Sequence, residues 1–97
     1  MFARVTTARG TPGKLDAGAD LLREQAFAAR GRVKGFKGLY LLVDRATGTH
    51  RTVSFWETRD DAEAAAAVAA QRHETIVEAF GITDMPTAEI YEVAVQA

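Results

Sequence analysis

Apolar and polar residues alternate in part over Phe2–Ala8, pause at "RGTPGK", and then recur at three- and four-residue steps from Asp16 to Arg30. The first pattern predicts a strand, and the pause, with two glycines and a proline, predicts a loop. Ala19, Leu22, Ala26 and Ala29, with Leu15 extending the stripe, predict an amphipathic helix, and Gly31 stands where a helix C-terminus takes a left-handed residue. "GFKGLYLLVD" and "THRTVSFWE" are rich in strand formers, and the polar "DRATGT" between them, with Gly48 near its end, predicts a β-hairpin. In the second run Val53 and Phe55 fall on one face, and Thr52, Ser54 and Trp56 on the other. Both faces carry large apolar groups, so both need cover.

A second helix is expected from Thr58, whose hydroxyl can cap a first turn holding Asp60, Asp61 and Glu63, to Phe80–Gly81. At 100° per residue Ala62, Ala66, Ala69, His73, Ile76, Val77 and Phe80 form its inward stripe, with His73 in the middle of the buried face. The run "AEAAAAVAA" favours helix, and its small side chains are expected to let the helix approach the sheet closely. Beyond a loop holding Met85–Pro86, "TAEIYEVAVQ" predicts a last strand. The order βαββαβ is that of a ferredoxin-like α+β fold, a four-stranded antiparallel sheet with two helices on one face. The other face would expose Val53, Phe55 and their neighbours, and an apolar patch of that kind is best buried sheet to sheet in a symmetric homodimer.

Composition narrows the function without choosing it. Residues 1–97 are expected to form a single domain, with a thin core. Twelve Lys and Arg against 13 Asp and Glu, spread along the chain, give a net charge of −1 and no footprint for nucleic acid. The absence of cysteine removes disulfides, thiolate metal sites and cysteine nucleophiles. No stretch reads as a signal peptide or a membrane span, so a cytoplasmic protein without a membrane partner is expected. G-x-S-x-G, phosphate-loop, Rossmann and H-x-x-x-H patterns are missing, and His50 and His73 have no spacing that suggests a metal site. No metal or other cofactor is expected.

Thr52, Ser54 and Trp56 form a row of two hydroxyls and an indole that would orient a flat ligand if it faces the helix layer. His73 is the titratable group on the inward stripe and a candidate base. Tyr40 could donate to a substrate oxygen, and so could Tyr91. His50, near the hairpin in a polar stretch, is expected to be solvated, and Arg4, between apolar neighbours on strand one, to lie at a sheet edge or strand end, the alternative being a buried or pocket cation.

"GTPGK", "GFKGLYLLVDRATG", "TVSFWET" and "EIYEVA", in this order and spacing, resemble the antibiotic biosynthesis monooxygenase type of dimeric α+β barrel protein over nearly the whole chain. The resemblance implies a homodimer whose sheets form a barrel, with a pocket in each subunit between helices and sheet. It also implies cofactor-independent oxidation of an aromatic or quinol-like small molecule. His73 would be the catalytic base, Trp56 a stacking wall, Thr52 and Ser54 orienting hydroxyls, and Tyr40 a further substrate contact. Quinone-forming relatives carry an asparagine four residues before the tryptophan, where Thr52 stands here. Haem-degrading relatives carry an asparagine on strand one and a tryptophan and a histidine on helix two; the approximate equivalents are Ala3, Ala65 and His73. The alternatives are therefore a noncatalytic, small-ligand-binding or stress-associated dimer, or a haem-binding or haem-degrading relative.

Overall fold

The computed structural model describes all 97 residues. The elements are β1 (Phe2–Arg9), α1 (Leu15–Ala29), β2 (Phe36–Val43), β3 (Thr49–Trp56), α2 (Arg59–Gln71), α3 (His73–Phe80) and β4 (Thr87–Glu92), with a short 3₁₀ turn at Pro12–Lys14 leading into α1. The strands form one antiparallel sheet in the order β2-β3-β1-β4. This is the expected ferredoxin-like α+β arrangement, with β1 and β3 inside and β2 and β4 at the edges.

Three differences from the sequence expectation bear on the site. The single helix expected from Thr58 to Phe80 is two, broken at Arg72, whose φ of −103° and ψ of 9° leave the helical region. No glycine or proline marks this break. It lets α3 turn Phe80 into the core, where Leu15, Leu22 and Phe80 are buried and Leu41, Ile76 and Ile82 pack against them. The C-terminus of α3 is closed by Gly81 at φ 61°, with the amides of Gly81 and Ile82 donating to the carbonyls of Glu78 and Val77. Such a left-handed residue turns the chain sharply toward β4, and glycine adopts it without a Cβ penalty.

The second difference is in β2. Phe36 pairs with Trp56 but Gly38 pairs with Phe55, so Lys37 is an extra residue, and Gly38 takes a φ of 145° that only glycine adopts easily. A bulge exchanges the two faces of the strand beyond it. Phe36, Leu39 and Leu41 therefore face the helices, and Tyr40 and Leu42 face away. Third, β4 ends at Glu92 and not near Gln96, because Glu92 already pairs with Phe2, the first residue of β1. Beyond that pair a single further bond, from the Val93 amide to the Met1 carbonyl, holds the chain.

Candidate functional site

The small core sits where α1 meets α3, and the volume beneath α2 is not filled. The helix-facing residues of β1, β2 and β3 and the inner faces of the helices line a half-open cavity of about 810 Å³. Its roof is the alanine run: Ala65, Ala66 and Ala69 face it with methyl groups. Ala62 is fully buried, but beneath the rest of the run the small side chains leave space open. Two aromatic contacts stand at the ends of this space. Phe36 meets Trp56 edge-on at 5.3 Å between ring centroids, and His50 stacks on Phe80 at 4.1 Å and 16°. Between these contacts the methyl groups leave room instead of filling it.

The cavity floor is built by β3. At about 3.4 Å per residue, alternation lays His50, Thr52, Ser54 and Trp56 along roughly 20 Å of one face, and all four line the cavity. Trp56 is 6% exposed, and its indole Nε1–H donates to Ser54 Oγ at 2.9 Å. That bond fixes the indole plane and leaves the Ser54 proton free to be donated onward. On β1, Arg4 and Thr6 face the same space, each beside its partner on β3, Ser54 and Thr52 respectively.

α2 is positioned by its N-cap, where the Asp61 amide donates to Thr58 Oγ1 at 3.1 Å, as the sequence suggested. The Asp61 side chain is buried at the cavity wall, with its carboxylate 3.9 Å from the Lys34 ammonium. No group of three or more His, Asp or Glu side chains comes together as a metal site would require.

His73 is exposed and not in the middle of a buried face, because the break at Arg72 makes it the first residue of α3; it still lines the cavity. Tyr40 is on the opposite face of the sheet, 65% exposed and edge-on to Phe55 at 6.1 Å, so it does not reach the cavity. Ala3 also points away from the cavity, paired with Phe55.

Two further groups, His50 and Arg4, are in the cavity wall. His50 is 4% exposed and not solvated. Its Nδ1 lies 3.3 Å from the Gly48 carbonyl, and burial holds its pKa below the ordinary value of about 6.5 against the opposing pull of that hydrogen bond. In the tautomer that donates from Nδ1, Nε2 is a free acceptor. The signal for His50 was present, since it shares the parity of Thr52, Ser54 and Trp56. Arg4 lies mid-strand on an inner strand, not at an edge. Desolvation lowers its pKa, though an arginine remains charged.

No family model matches the chain, and no curated protein matches it. Solved structures do. A monooxygenase from Streptomyces coelicolor in complex with nanaomycin D is 17% identical, with a TM-score of 0.76 over 99% of this chain and 91% of that one. A Deinococcus radiodurans protein provisionally named an antibiotic biosynthesis monooxygenase is 17% identical, with a TM-score of 0.75 over 100% and 96%. The fold is that of the antibiotic biosynthesis monooxygenases. The same fold serves the haem degrader MhuD of Mycobacterium tuberculosis, solved with two haems in its active site, which is 16% identical with a TM-score of 0.69 over 100% of this chain and 99% of that one. At these identities the likeness is one of fold, and chemistry has to be argued from the cavity. No helix here is long and apolar enough to cross a membrane.

Proposed function

We propose that this chain is a member of the antibiotic biosynthesis monooxygenase family that works as a homodimer. It binds a flat aromatic or quinol-like small molecule between sheet and helices and oxidises it with dioxygen, without metal or flavin. The observation that carries the reading is the floor of the cavity, where an immobilised indole and two hydroxyls lie in one row beneath an apolar roof. The ring system stacks against Trp56, and Thr52 and Ser54 orient its oxygen substituents. His73, at an exposed position on the cavity wall, takes the substrate proton and passes it to solvent. The resulting carbanion gives an electron to dioxygen, and the radical pair combines. One oxygen atom stays on the ring carbon as a carbonyl and the other leaves as water, so that a phenol and one dioxygen become a quinone and one water. The apolar walls favour this step by keeping water from the intermediate.

Oxygen uptake with a panel of polycyclic phenols tests the reading. Wild type should consume one dioxygen per quinone formed, and His73→Ala should lose uptake while still binding, read by quenching of the single tryptophan. Full uptake by His73→Ala would remove His73 from the mechanism. Quenching without any uptake would leave the noncatalytic binding protein, the reading that Thr52 favours because a hydroxyl lacks the paired donor and acceptor of an amide. A Soret shift on adding haem would point instead to the chemistry of the haem-binding relatives.

A further inference from the structure

The side chain of Arg4 is in an unusual position. It projects from an inner strand into a mostly apolar cavity. Its Nε–H is shut off from solvent and donates to nothing, and the Thr6 hydroxyl two residues along the same face is equally closed off and unpartnered. None of the chain's ion pairs, Arg23–Asp20, Lys34–Asp61, Arg45–Asp16 and Arg59–Glu63, involves Arg4, so no carboxylate lies within 4.0 Å of it. Arg4 is half-buried, yet its Nε–H and the Thr6 hydroxyl have both lost water without gaining a partner, which is destabilising. The same patch also holds Ser54, the cross-strand neighbour of Arg4, whose oxygen already accepts from Trp56 and whose proton is therefore free.

We propose that Arg4 is the recognition group for an anionic oxygen on the bound aromatic molecule, a carboxylate or an ionised phenol. The proposal rests on the cavity being an aromatic-binding site, and it names the substrate class that site selects. The oxygen accepts from the guanidinium, with Thr6 and Ser54 as hydroxyl donors beside it, while the rings extend along β3 toward Trp56. A neutral molecule of the same shape leaves the cation and the Thr6 hydroxyl unpaired and is rejected for that reason.

The test uses matched non-fluorescent tricycles and the emission of Trp56 in the full chain. Anthraquinone-2-carboxylate is compared with anthraquinone-2-carboxamide. In a second arm 2-hydroxyanthraquinone, at a pH where its phenol is ionised, is compared with its methyl ether. In wild type the anionic member of at least one pair should bind at least about tenfold more tightly, as a charge-assisted hydrogen bond requires, and the arm showing the preference identifies the source of the charge. The preference should vanish in Arg4→Met, of similar length and no charge, and survive in Arg4→Lys. Equal affinities within both wild-type pairs, a comparison that needs no variant to fold, would overturn the assignment while leaving the aromatic site standing. A preference that persists in Arg4→Met would overturn it too. Absence of quenching by all four compounds would overturn both.

Discussion

Replacing Gly18 with alanine separates two opposing effects whose sum has a definite sign. Gly18 lies inside α1 and is buried, and in an exposed helix the change would stabilise by about 1 kcal/mol. Here the added methyl would fall inside the van der Waals envelope of Cδ1, Cε1 and Cζ of Phe80. The ring is 1% exposed and stacked on His50 at 4.1 Å, so moving away from the methyl means giving up that stack and its place in the core. Overpacking of this kind costs about 1–3 kcal/mol, and three ring atoms in overlap place the cost near the upper end. Net destabilisation of roughly 2 kcal/mol is therefore expected, which for a domain of this size lowers the Tm by about 8–16 °C. Chemical denaturation at one fixed protein concentration measures it, since self-association would shift the midpoint. In a Phe80→Leu background the cost of Gly18→Ala should fall below about 1 kcal/mol, because the overlapping ring atoms are gone. A Gly18→Ala protein more stable than wild type by about 1 kcal/mol would refute the packing described here.

Stability should depend on His50 in mild acid. Its folded pKa is held below the unfolded value of about 6.5, so its contribution is complete above that pH and declines as pH falls from there toward the folded value; His50→Asn should flatten this part of the stability curve, and an unchanged curve would exclude His50 as its source. In the proposed homodimer, sheet-to-sheet pairing would make the open face sensitive to charge. Tyr40→Asp, at a position exposed in the single chain, should leave the fold intact and convert the dimer to monomer in sedimentation at micromolar concentration, and wild type sedimenting as a monomer would remove the dimer from the proposed function.

How legible the site was depended on parity. Alternation along Thr49–Trp56 is unbroken, so Thr52, Ser54 and Trp56 could be placed on one face from the sequence, and His50 belonged with them. Its polar neighbours pointed the other way, but they are hairpin residues at its flanks, while its own side chain turns inward to the ring of Phe80. Tyr40 could not be placed because a one-residue bulge at Lys37 inverts every position after it, and the glycine beside it is compatible with either parity until its φ is known. His73 fits a continuous helical stripe through Phe80, and the stripe fails only because the helix breaks at Arg72, where nothing in the local residues asks it to.

The amino-acid sequence by itself determined the order of strands and helices apart from the break at Arg72, the capped start of α2, the glycine-closed end of α3 and the shared face of Thr52, Ser54 and Trp56. These depend on local propensity and short-range period, which are properties of neighbouring residues. The tertiary structure alone decided that the alanines of α2 roof a cavity and that Arg4 stands in it without a partner. Whether a small side chain closes a gap or leaves one is set by what holds the layers apart. Here the aromatic contact that crosses from sheet to helix is His50 of β3 on Phe80 of α3, residues distant in sequence.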